Sequence, residues 1–194
     1  TLSGAQIAQD ALSVTAKTLN HSGQTSAADV ALTASDSINN SGSLVANNLA
    51  LHAAQINNTA QIQGTQALNL QADRLENQAT GTIYTARDLI LNIPQLHNSG
   101  TIQGLSLSTT GDELQNEGTL LADTGLWLRA GQLDNRGNIA AKGQLTANAT
   151  RLSNAGRLES KSRMDLSADE ATLSGTQIAQ DALNVTAKTL DHSG

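Results

Sequence analysis

Four histidines (His21, His52, His97 and His192) and one acidic stretch, GDELQNEG at 111–118, hold the side chains best suited to bind a metal or move a proton. A metal needs several ligands converging at set spacings, and glycoside hydrolysis needs two carboxylates facing each other across a cleft. The sequence offers neither. The histidines fall at unrelated places, except that His21 and His192 occupy the same position in two near-identical stretches. Asp112, Glu113 and Glu117 stand together, but the other acidic residues are scattered, so this stretch reads as a solvated turn. Cysteine is absent, which removes thiolate ligands, disulfides and cysteine nucleophiles. No serine lies in a G-x-S-x-G elbow. We therefore expect no enzyme: no catalytic residue, no metal site and no cofactor.

Recognition chemistry leaves fewer candidates. Trp127 and Tyr84 are the only tryptophan and tyrosine, and phenylalanine is missing. Each alternates with aliphatic neighbours (Leu126 and Leu128, Ile83), so each should point outward as a possible surface contact, for example against a sugar. The 11 basic residues are outnumbered by 17 acidic ones, giving a net charge of −6 without a long run of either sign. A nucleic-acid partner is not expected, because no basic footprint is available to collect phosphates. No apolar stretch approaches the length of a membrane span, and no basic-then-apolar leader opens the sequence, so any export signal is expected outside this segment.

What must position such side chains is a repeat. TLSGAQIAQDALSVTAKTLNHSG at 1–23 returns at 172–194 as TLSGTQIAQDALNVTAKTLDHSG, differing only at Ala5/Thr176, Ser13/Asn184 and Asn20/Asp191. Thr1 and Thr172 thus hold the same phase, an offset of 171. A shorter period lies inside it, anchored at Leu2, Leu19, Ile38, Ile56, Leu75, Leu96, Leu114, Leu133, Leu152, Leu173 and Leu190. Its spacings run from 17 (Leu2 to Leu19) to 21 (Leu75 to Leu96), and nine of them make up the long period. The two longest units suggest insertions, near Ala79-Thr80 and near Asp169-Glu170-Ala171.

The best-written units, LQNEGTL, LDNRGNI and LSNAGRL, share the form L-x-N-x-G-x-[IL]. Their asparagine recurs at Asn40, Asn58, Asn77, Asn98, Asn116, Asn135 and Asn154, with Gly4, His21, Gly175 and His192 expected in its place in the terminal units. Asparagine and glycine both tolerate a left-handed turn, so a sharp turn is expected there. Later in each unit comes an alternating triplet such as Leu49-Leu51-Ala53 or Leu126-Leu128-Ala130. A period of two means strand, and nothing sustains the 3.6 spacing of a helix. The triplet's final alanine suggests a corner where walls come close. A single unit cannot bury its apolar face, whereas stacked units make a continuous core. The expected architecture is all-β: one parallel β-helix over 1–194, about ten turns of roughly 19 residues, rising ~4.8 Å per turn. Its asparagines should form a turn ladder of amides bonding from one turn to the next.

Together with INNSGSL and LHNSGTI, these cores resemble the haemagglutinin-type repeats of large bacterial exoproteins exported by two-partner secretion, among them filamentous haemagglutinins and contact-dependent growth inhibition proteins. That resemblance implies a right-handed coil, a secreted filament on a Gram-negative cell surface, and an outer-membrane transporter contacted outside this segment. The implied role is a rigid shaft that projects adhesive or toxin parts. Two alternatives are an adhesive side face, meeting a host glycan, a receptor or a neighbouring filament, and a polysaccharide-cleaving β-helix enzyme. Near-identical end units further suggest that copies associate end to end, since open strand edges invite pairing.

Overall fold

Alternating apolar and polar residues give an extended chain one face that avoids water, and that face must find a partner. In the computed structural model, which describes residues 1–193, the chain meets this demand with twenty strands, from Ala5–Ile7 to Ala182–His192. One turn shows the unit. Strand Thr119–Ala122 makes a first wall; Leu126–Asn135 makes a second (126–130) and a third (132–135), with the ladder skipping Gly131 between them. Two turns earlier the same two walls are separate strands, Leu89–Asn92 and Gln95–Asn98. Every strand pairing is parallel, and apart from register shifts between Ala16 and Thr18 and between Ala46 and Asn48, paired residues lie beside their counterparts one turn on: Leu96, Leu114, Leu133 and Leu152 run in one column. The fold is a parallel β-helix of about ten turns with no helix among the described residues.

Aliphatic columns fill the inside. On the first wall Ile62, Ile83, Ile102, Leu120, Ile139 and Leu158 stack in register, each at most 1 % exposed. The other walls supply columns through Leu107, Leu126 and Leu145 and through Leu75, Leu96 and Leu114. Each such side chain contributes ~1.5–3 kcal/mol before entropy is subtracted, and the contribution repeats every turn. Alanine closes the second wall, with Gly111, Ala130, Ala149, Ala168 and Ala187 in one column. A larger side chain has little room where two walls meet.

The phase of the terminal units differs from the one expected. Leu2 pairs with His21, and Leu173 pairs with Asn154 and His192, so both leucines stand in the asparagine column rather than at the anchor. The anchor is Ala171, between Leu152 and Leu190. The steps from Leu152 to Ala171 and from Ala171 to Leu190 are therefore equal, and 169–171 is ordinary strand within Arg163–Leu173. Gly4 and Gly175 consequently belong to the glycine column. The insertion at Ala79-Thr80 is real: Leu75 pairs with Leu96, a longer step than its neighbours, and the extra residues form a turn. Gly194, the last residue of the second near-duplicate, lies outside the described residues.

Candidate functional site

Two features carry polar chemistry: a buried amide column and the outward face around the tryptophan. Asn40, Asn58, Asn77, Asn98, Asn116, Asn135 and Asn154 all turn inward from the third wall and are at most 2 % exposed. Each Nδ2 donates to the next Oδ1, at 2.8 Å for the first four steps and 2.7 Å for Asn116 to Asn135 and Asn135 to Asn154. The remaining N–H reaches main-chain carbonyls, as from Asn98 to Thr119 O at 3.1 Å and from Asn135 to Arg157 O at 3.1 Å. Burying an amide without partners costs a few kcal/mol, so the column is tolerated inside an aliphatic core because its members satisfy one another.

The column has a direction, and its ends show it. Asn40 commits its Nδ2 to Asn58 Oδ1 and to Gln61 O, which leaves Oδ1 facing His21. The His21 nitrogen that meets it at 2.7 Å, Nδ1, therefore carries a proton and donates. His21 Nε2 meets Thr25 Oγ1 at 2.9 Å, and Thr25 donates to Gln6 Oε1 at 3.0 Å. At the other end Leu173 succeeds Asn154, whose Nδ2 is left with Gly156 O at 3.4 Å and Thr176 O at 3.5 Å. Neither His21 nor His192 is placed as a metal ligand, and no cluster of three His, Cys, Asp or Glu exists among the described residues.

The glycines serve a purpose other than the expected left-handed turn. Among the described residues only Gly4 has a positive φ, 78°, and no asparagine has one. A Cβ on Gly118 would instead lie 2.1 Å from Gly100 O, and one on Gly137 2.1 Å from Gly118 O. At Gly118 and Gly137 successive turns approach so closely that a side chain would meet the carbonyl below it, whereas Ala60 shows that one turn of the column accommodates a methyl group.

Outside, side chains pair both between turns and along a strand: His52 lies 3.0 Å from Gln71 of the next turn, and Gln115 donates to Glu113 of its own strand at 2.7 Å. Glu117 lies 3.8 Å from His97, and Asp112 lines a shallow corner recess, so the acidic stretch is spread over a corner, a strand and a turn. Lys142 hydrogen-bonds Asp123 at 2.6 Å and holds its carboxyl below the usual range. Lys161, then Arg157, do the same for Glu159, and Asn184 with Arg163 for Asp165. Trp127 stands on the second wall, 44 % exposed, beside Ser108 and Thr146. Tyr84 is half-buried on the first wall between buried Ile83 and Thr85, so the two aromatics lie on different walls. Sequence reasoning missed Ile90, 59 % exposed in the same column as Trp127, although it alternates with buried Leu89 and Leu91 as Trp127 does with Leu126 and Leu128.

A stack of near-identical turns around aliphatic columns and an amide ladder defines the chain as a β-solenoid repeat segment. Its residues 2–54 match the haemagglutinin repeat family. The third-wall column that begins at Leu19 inside 2–54 runs in register through Ile38, Ile56, Leu75, Leu96 and Leu114 to Leu190 in the last turn. The chain is 40% identical over 78 residues, 40% of its length, to the deoxyribonuclease CdiA of Dickeya dadantii. It is 44% identical over 59 residues, 30% of its length, to the toxin CdiA of Escherichia coli, and 36% identical over 76 residues, 39% of its length, to a tRNA nuclease CdiA of Yersinia mollaretii. The matched stretches span only 2%, 2% and 3% of those relatives. No solved structure matches the chain at a significant level. The resemblance read from the repeat cores is borne out over residues 2–54, which match the haemagglutinin repeat, and by the similarity to CdiA proteins.

Proposed function

We propose that this segment is a rigid shaft of a secreted surface filament. It sets the distance between the cell and parts of the same exoprotein that adhere or deliver a toxin, and it performs no catalysis of its own. The supporting observation is the register of the first and third walls: their columns continue from turn to turn along the coil, so length grows by whole turns. Within that role the asparagine ladder locks the third wall of each turn to the next and resists slippage. The coil is right-handed, and export runs through an outer-membrane two-partner-secretion transporter that contacts the exoprotein elsewhere. A receptor on a host or neighbouring cell would meet the parts the shaft carries.

The test is to delete one full long period, residues 1–171, from an exoprotein that carries it and to measure filament length by electron microscopy. Nine turns at ~4.8 Å each correspond to a shortening of about 43 Å, with export preserved. A filament of unchanged length would overturn the shaft assignment.

A further inference from the structure

We propose that Trp127 and Arg129 form a binding site for an acidic saccharide on the second wall. The benzo ring of Trp127 lies over Gly125: a Cβ placed there would come within 2.3 Å of the ring's Cη2. With one face against the glycine backbone, the ring presents its other face to solvent. It runs away from Arg129, which stands two residues further along the same side of the strand, about 6.7 Å on. The guanidinium is thus left uncovered.

Arg129 is unlike the other cations. Among the described residues, each of the other ten lysines and arginines has an acidic or amide partner, as in Lys142 with Asp123 and Arg151 with Gln132. Arg129 has none. It opens instead onto a notch of about 420 Å³ at the alanine corner, whose wall includes Asn148, Thr150 and Ser167. These three make no side-chain hydrogen bond among the described residues, and Asn148 sits directly beside Arg129 on the next turn. Asp169 closes the far side and is engaged by Lys188 at 2.9 Å.

The chemistry selects the ligand. A pyranose presents a face of C–H bonds, whose partial positive charge suits the negative face of an indole. A carboxylate on the adjoining sugar of the same saccharide would meet an arginine able to bind it through two parallel N–H donors, and that sugar's hydroxyls would meet the amide and hydroxyls of the notch. A long polyanion is disfavoured, because one free cation amid Asp165, Asp169 and a net charge of −6 cannot collect a run of phosphates. The site is separate from the shaft role: failure to bind a sugar would leave filament length unaffected.

Trp127 is the only tryptophan, so its fluorescence reports on this site directly. The whole chain, 1–194, would be titrated with 3′-sialyllactose, with trigalacturonate and with neutral lactose. At least one acidic probe should shift the emission saturably and bind about tenfold or more tightly than lactose, the scale of one charge-assisted pair. Arg129→Gln should abolish that preference, and Gly125→Ala, which lifts the ring, should weaken binding severalfold while circular dichroism stays unchanged. The proposal is overturned if neither acidic probe gives a saturable shift, or if Arg129→Gln binds them as the parent does.

Discussion

At the scale of single residues, the consequential positions are those where a turn depends on the turn beneath it. Asn116→Ala removes an acceptor from Asn98 and a donor from Asn135 inside a dry core, so denaturant unfolding should show a loss of about 2–4 kcal/mol. Thr109 gives the opposite sign. Its Oγ1 is buried without a partner in the column of Leu91 and Leu128, and Thr109→Val should stabilise by about 1 kcal/mol in the same assay. The depressed carboxyl groups set an acid limb. Asp123, Glu159 and Asp165 sit below their ordinary values of 3.8, 4.5 and 3.8 when folded. Their contribution is present above those values and lost as pH falls through the lower folded ones. Thermal unfolding should therefore drop across the range from about pH 5 to pH 2, and Lys142→Gln should flatten the drop by removing the Asp123 share.

For the repeating element, period and strand alternation were legible in the sequence because both survive any single substitution. Phase at the ends was not. Aligning on leucine placed Leu173 at the anchor, where Ala171 belongs, and a slip of two leaves every side chain on its own face. Alternation cannot expose such an error; only the partner turn can. The glycine column was misjudged for a related reason, since its constraint is a carbonyl one turn away rather than a local φ. Gly118→Ala should accordingly cost about 1–3 kcal/mol through overpacking, although alanine is normally the better residue in a regular element. The asparagine and tryptophan positions could be read in advance, whereas the isolation of Arg129 depends on pairings between turns that no single repeat spells out. Whole elements should also be exchangeable: deleting 114–132, a single complete turn, keeps every column in phase, so a folded β protein should remain by circular dichroism. Deleting half a turn from the same place should not leave one.

Across the whole molecule, the shaft is additive: each turn stacks on the last and lengthens it by the same step. The long period offers a direct check, because Gly194 occupies the phase of Gly23 and residue 24 can follow it without a break. A chain of 1–194 followed by a second 24–194 would be compared with the single chain by small-angle X-ray scattering. Nine added turns should raise the maximum dimension by about 43 Å, at ~4.8 Å per turn, and leave the cross-sectional radius unchanged. A thicker particle, or two jointed bodies in place of one longer rod, would contradict the shaft.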